Sequence, residues 1–147
     1  MLVAKNPFNE TLSGDYPALK NEQIHQAIVA AHDAGSSWNA LGYSARAEVL
    51  RAVAVELRNQ KQALAELMAI EMGKPIKEGA AEVEKAAGCC EFYAEQAAGF
   101  LKNETLQSDA SNSYVCFPPL GTLLGILPWN APLWLAFRYL APALMAG

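Results

Sequence analysis

This chain carries little charge. Only 18% of residues are Asp, Glu, Lys or Arg, against 52% hydrophobic, and an ordinary soluble domain carries about 25% charged residues. The net charge is -4 with a pI near 5.1. No basic cluster and no interleaving of aromatic with basic residues occurs, which argues against a nucleic-acid surface. Cysteine is limited to Cys89, Cys90 and Cys116. The number is odd and two of the three are adjacent, so a disulfide scaffold is not expected and a reducing cytoplasm is. The first residues, Met1 to Pro7, lack a basic region followed by an apolar one, so no secretory leader is read there. There is no internal repeat and no low-complexity tract. With two histidines, His25 and His32, seven apart and about 10 Å from each other along a helix, no metal site is expected.

What the chain does have is a long uncharged stretch. From Val115 to Phe137 no residue carries a formal charge, and roughly 20 apolar residues suffice to cross a bilayer as a helix. Pro118, Pro119, Pro128 and Pro132, with Gly121 and Gly125, would break such a helix repeatedly. A buried strand followed by a buried helix fits the pattern better than a membrane span.

The periodicity predicts the remaining elements. Residues 1–19 read as an extended tail. Ile24, Ala27, Ile28 and Ala31 recur at helical spacing, predicting an amphipathic helix over 20–33 closed by Gly35-Ser36-Ser37. A second helix follows Ser44 with Leu50, Val53 and Leu57 on one face, bends near Asn59 and stops at Gly73-Lys74-Pro75. The third and longest runs over 76–101, with Val83, Ala86, Ala87, Cys90, Ala94, Ala97, Ala98 and Leu101 as a stripe of mostly small residues. Glu82, Glu84, Lys85, Glu91 and Glu95 are expected to face water. Two short β-prone runs flank Ser108–Ser113 and predict a hairpin over 104–118. Gly121–Leu127, apolar on both faces, predicts a strand inside a parallel sheet, and Leu133–Met145 a helix that Pro142 kinks or ends early. Helices, a hairpin and one β-α step make an α/β domain that is begun but incomplete, because a lone buried strand has no neighbour to satisfy its backbone.

Three motifs bear on chemistry. In Pro128-Trp129-Asn130-Ala131-Pro132 the prolines fix the backbone. Asn130 then either caps the following helix or offers a preorganised amide to an oxyanion. Arg138, the sole charge between Tyr114 and Gly147, is either a snorkelling surface arginine or a guanidinium that recognises a carboxylate by a bidentate pair. Cys89 and Cys90 lie on or beside the small-residue stripe and read as structural thiols. Gly121 and Gly125 are not a phosphate loop, since they lie in a β-prone run without a Gly-Lys-Ser/Thr ending.

Taken together, these motifs resemble the NAD(P)-dependent aldehyde dehydrogenase family, from about residue 18 to the end. Trp38 followed by Arg46, Leu50 and Leu57 is similar to the family's tryptophan and its arginine-leucine helix. Glu71-Met72-Gly73-Lys74-Pro75 is similar to its Glu-x-Gly-Lys-Pro turn, and Pro119-Leu120-Gly121 to the lead into the first cofactor-binding strand. The resemblance implies the N-terminal part of that fold: a helical part over 20–103, an oligomerisation-type hairpin over 104–118, and the first strand and helix of a Rossmann-like domain over 119–147, truncated. It implies that Asn130 holds the oxyanion formed when a cysteine, absent from these residues, attacks the aldehyde. Leu127, Pro128 and Trp129, with Asn130, would lie along the ribose of the nicotinamide of NAD or NADP.

Trp134-Leu135-Ala136-Phe137-Arg138 resembles bacterial succinate-semialdehyde dehydrogenases, in which an arginine at this offset accompanies a substrate that ends in a carboxylate. Trp134 and Arg138 are therefore the expected substrate-binding residues, with Asn130 and Arg138 expected to share one cavity. Ala131 departs from the phenylalanine common at that position and opens the substrate entrance. The implied partners are a small aldehyde and further copies in a homo-oligomer, with no nucleic acid and no membrane. By this resemblance the chain alone lacks the catalytic cysteine and glutamate and is expected to be an inactive or partner-docking piece of the enzyme.

Overall fold

The structure, a computed structural model, describes residues 2–147. Its centre is one long helix, α4 (Ile76–Phe100), whose small residues let three other helices close on it. Helix α2 (Gly42–Asn59) contributes Leu50, Ala54 and Leu57, and α3 (Lys61–Met72) contributes Ala65 and Met68. Helix α5 (Pro132–Ala146) contributes Ala141 and Met145. Val83, Ala86, Ala87 and Cys90 of α4 lie at the middle of this cluster, fully buried. Ala98, placed on the same stripe by its spacing, is exposed, whereas Ala97 beside it is buried.

Two helix boundaries follow from local chemistry. The expected bend near Asn59 is a break at Gln60 between α2 and α3. Helix α3 ends at Gly73, whose φ of 73° is left-handed and lets its N–H reach the Ala69 carbonyl. Lys74 and Pro75 then lead into α4.

Four expectations are corrected. Helix α1 (Asn21–Ala40) runs through Gly35-Ser36-Ser37 rather than ending there. Glycine costs a helix interior only about 1 kcal/mol and serine less. Ser37 also returns its hydroxyl to the Ala34 carbonyl at 2.9 Å, and Trp38 anchors the far end by donating its indole N–H to the Leu144 carbonyl at 2.8 Å. The apolar face of α1 is uncovered, with Ile24 44% and Ile28 56% exposed. The supposed tail is a hairpin, β1 (Leu2–Lys5) antiparallel to β2 (Leu12–Tyr16), its turn held by the Asn6 and Asn9 side chains accepting from Phe8 and Thr11. Tyr16 ties it to α3 by donating to Glu71 at 2.8 Å.

The third correction concerns 121–127. This run forms no strand and is largely exposed, Leu124 at 87% and Ile126 at 88%. Burying a strand requires neighbours for its N–H and C=O groups. Among the described residues the remaining strands are β3 (Glu104–Thr105) and β4 (Tyr114–Val115), which pair only with each other. Pro142 neither ends nor shortens α5, and it sits inside the helix.

Arg46 is 2% exposed. It donates to the Asn39 carbonyl at 3.1 Å and to Asn39 Oδ1 at 3.2 Å, lies over the Tyr43 ring, and keeps a buried Nε without a partner. Outside the core, Arg58 and Lys61 clamp Glu84 at 3.0 and 2.8 Å, and Arg58 also grips Glu91. These bonds join α2 and α3 to the solvent side of α4. Donation from Lys61 and Arg58 holds the Glu84 carboxyl below its usual value, and Arg58 does the same for Glu91.

Two outcomes are expected. A Cβ at Gly79 would stand 3.0 Å from Ala65 Cα, where α3 and α4 touch, whereas one at Gly88 meets nothing within 4 Å. Gly79→Ala should therefore lower the stability measured in urea by about 1–3 kcal/mol, and Gly88→Ala should raise it by about 0.5–1 kcal/mol. The depressed carboxyls of Glu84 and Glu91 stabilise the fold fully above the unfolded value of 4.5. That stability is lost as pH falls through their lower folded values. Urea midpoints followed from pH 6 down to 3 should fall less steeply in Glu84→Gln.

Candidate functional site

Helices α4 and α5 lie side by side and advance in the same direction. Glu82 meets Leu133 and Trp134, Lys85 meets Trp134, and Cys89 meets Phe137. Parallel neighbours cannot be joined by a short turn, so residues 101–131 return the chain along the outside and deliver Pro128-Trp129-Asn130 to the start of α5. The first N–H groups of a helix need acceptors. Here Glu82 Oε1 accepts from Leu133 N at 2.9 Å and from Trp134 N at 3.1 Å. Its other oxygen pairs with the Lys74 ammonium. Both side chains are nearly buried, Glu82 at 7% and Lys74 at 12%. Glu82, expected to face water, is therefore the cap of α5.

This capping decides one question about Asn130. The N-cap residue itself is Ala131, which has no side-chain cap bond, and the donors a capping Asn130 would serve are already taken by Glu82. Asn130 is exposed in the bend 129–131, with Leu127, Pro128 and Trp129 also exposed just before it. Its side chain is therefore not turned onto α5.

Trp134 and Arg138 are one turn apart on α5 and face α4. They line an open recess of about 410 Å³ with Lys85, Cys89, Phe92 and Tyr93. The Lys85 ammonium lies 3.8 Å from the centre of the Trp134 ring, a cation–π contact. Neither Lys85 nor Arg138 is in an ion pair among the described residues, and no carboxylate lines the recess. Asn130 lines neither this recess nor the larger hollow of about 580 Å³ between α1, residues 119–123 and α5. The structure thus brings Trp134 and Arg138 together but does not place Asn130 in a cavity with them.

The two helical cysteines are poor nucleophiles. Burial pushes the Cys90 thiol up to about 11, with Cys89 and Glu91 adding to the effect, and burial alone raises that of Cys89. A nucleophile needs the thiolate. Among the described residues no group of His, Cys, Asp and Glu is arranged to hold a metal ion, and no helix is long and apolar enough to cross a membrane.

A comparison with known families finds that the profile of the aldehyde dehydrogenase family matches residues 2–147. The chain belongs to the aldehyde dehydrogenase family. Over 97% of its length it is 37% identical to a probable NADP(+) succinate-semialdehyde dehydrogenase of Synechocystis, covering 31% of that protein. It is 38% identical to a chloroplastic aminoaldehyde dehydrogenase of Arabidopsis thaliana, covering 30% of it. The structure superposes on a succinic semialdehyde dehydrogenase of Streptococcus pyogenes, solved with NADP+, with a TM-score of 0.92 and 26% identity, over 99% of this chain and 32% of that one. The chain therefore spans about three tenths of these relatives, and its α/β architecture is an incomplete N-terminal part of the aldehyde dehydrogenase fold.

Sequence reasoning missed Glu82, Lys74 and Lys85. For Glu82 a signal was present: Gly79, Glu82, Val83, Ala86 and Cys90 share the buried face of α4, so a carboxylate stood on an apolar stripe. Lys85 gave no signal, because its neighbour Trp134 is distant in sequence.

Removing the Glu82 carboxylate would strand both the Lys74 ammonium and the two N–H groups of α5. Glu82→Ala is expected to cost about 3–5 kcal/mol, as for other broken buried pairs. Amide exchange of Leu133 and Trp134 should quicken first, and Glu82→Gln, which keeps an acceptor, should lose less.

Proposed function

We propose that this chain supplies the oxyanion-binding and substrate-recognition face of an NAD(P)-dependent aldehyde dehydrogenase that oxidises succinate semialdehyde to its carboxylate. The observation that carries the reading is the Asn130 side chain, exposed beside the start of α5 and not turned onto that helix, which Glu82 caps instead. A donor fixed by a proline-bounded bend and a docked helix needs little reorganisation when charge develops on a carbonyl oxygen. Leu127, Pro128 and Trp129 form an exposed, uncharged edge, Trp129 at 77%, suited to the nicotinamide ribose. NAD or NADP, when bound, supplies the hydride acceptor.

Similarity alone does not choose the substrate tail, since relatives named for succinate semialdehyde and for aminoaldehydes match about equally well. Charge supports the choice. Arg138 would repel an ammonium tail and attract a carboxylate. Asn130 lies in the bend just before α5 and Arg138 in the second turn of that helix, so one substrate chain would have to run from the bend to the recess.

In this reading the hairpin at 104–118 serves contacts between subunits of a cytoplasmic homo-oligomer, and the 147 residues alone have no dehydrogenase activity, their helical thiols being protonated. A second reading, a non-catalytic docking piece, is favoured by one observation. The run from Leu120 (90% exposed) through Ile126 (88%) to Trp129 (77%) is uncovered, and so large an apolar strip marks an interaction surface. Binding of ANS and self-association on size exclusion would support it, and a compact monomer silent to ANS would count against it.

The purified chain, given succinate semialdehyde with NAD or NADP, should produce no absorbance at 340 nm. Substituted for the matching segment of the Synechocystis relative, it should yield an active enzyme. In that chimera Asn130→Ala is expected to lower kcat by roughly 10²–10³. Arg138→Met should raise KM for succinate semialdehyde but not for butyraldehyde. NAD(P)H formation by the isolated chain, or an unaltered kcat in Asn130→Ala, would overturn the proposal.

A further inference from the structure

The recess between α4 and α5 holds a second cation that the reading above leaves unused. Lys85 comes from α4 and Arg138 from α5, and both line the same hollow with Trp134, Phe92 and Tyr93. Neither is neutralised by a carboxylate among the described residues. The parallel run of the two helices puts Lys85 level with Trp134 and one turn before Arg138. Both side chains are long enough to converge across that single turn, about 5 Å.

We infer that Lys85 and Arg138 form a two-cation clamp for the carboxylate tail of an aliphatic substrate, with Lys85 a specificity-determining residue. The inference rests on the aldehyde dehydrogenase reading for its substrate, but its geometry stands on the recess alone. Two like charges held in one hollow repel each other, so an anion between them is favoured and an ammonium is rejected. The Trp134 face holds the Lys85 ammonium at 3.8 Å without an anionic partner, which keeps its charge available. Phe92 and the flank of Trp134 offer apolar surface for the methylene chain. A single carboxylate on a short apolar chain suits both the two cations and the aromatic walls of this hollow. Inorganic phosphate would satisfy the cations only.

The test is direct binding to the 147-residue chain at low ionic strength, by calorimetry and by tryptophan fluorescence. The probes are butyrate, 1-butanol, butylammonium and inorganic phosphate. Butyrate should bind at least tenfold more tightly than the other three. Lys85→Met and Arg138→Met should each weaken butyrate roughly tenfold, as expected for loss of one charge-assisted contact. Lys85→Arg, which keeps the charge, should retain it, and circular dichroism should show all variants folded.

If Arg138→Met weakens butyrate while Lys85→Met does not, the clamp is overturned and the carboxylate role of Arg138 stands. If neither variant weakens it, both fall. Phosphate binding as tightly as butyrate would reduce the site to a general anion trap and overturn the inference. Absence of butyrate binding to the unaltered chain would also overturn it, whereas the chimera assay decides the catalytic reading separately.

Discussion

One buried carboxylate organises the functional half of this molecule. Glu82 stands on the face of α4 that packs against α5, and its two oxygens serve different partners, the Lys74 ammonium and the first N–H groups of α5. A carboxylate taken out of water is costly unless charge and hydrogen bonds compensate it. Here the turn before α4 provides the charge and the start of α5 provides the donors. The partly positive end of the helix adds to the attraction. The turn before α4, α4 itself and the distant start of α5 are thereby held at one point.

The consequences reach outward from that point. Because α5 is capped from α4, the bend at 129–131 is not required to cap it, and the Asn130 side chain is not turned onto the helix. Because α5 is fixed in rotation and height against α4, Trp134 and Arg138 face Lys85, Cys89 and Phe92 across a shared recess. The small residues of α4 allow this closeness. Ala86, Ala87 and Cys90 are fully buried, and bulkier side chains there would hold the helices apart. The surface network of Arg58, Lys61, Glu84 and Glu91 lies on the solvent side of α4 and secures α2 and α3 without touching the recess.

Much of the fold was legible in the chain. The Gly73-Lys74-Pro75 stop, the break near Asn59 and the stripe from Val83 to Ala97 follow from local backbone chemistry and helical period. Other features were not legible, for physical reasons that differ. Gly35-Ser36-Ser37 has weak helix propensity, yet the anchor from Trp38 to the Leu144 carbonyl overrides a penalty of that size. The pairing of Leu2–Lys5 with Leu12–Tyr16 depends on turn bonds from Asn6 and Asn9, which a reading of apolar period does not register. The run 121–127 has strand composition and lies unpaired, since composition states a preference and pairing needs a neighbour.

The sequence by itself determined where the helices lie, the stop at Gly73, the family resemblance and the candidacy of Asn130, Trp134 and Arg138, because period, caps and short motifs act over a few residues. Only the tertiary structure decided that Glu82 is buried, that Asn130 is not a cap, that Lys85 joins Arg138 in one recess and that Asn130 lies outside it. Those facts depend on which face of one helix meets which face of another. That choice is made by the summed packing of the core and by the need to pair a buried charge, and no local stretch of chain encodes it.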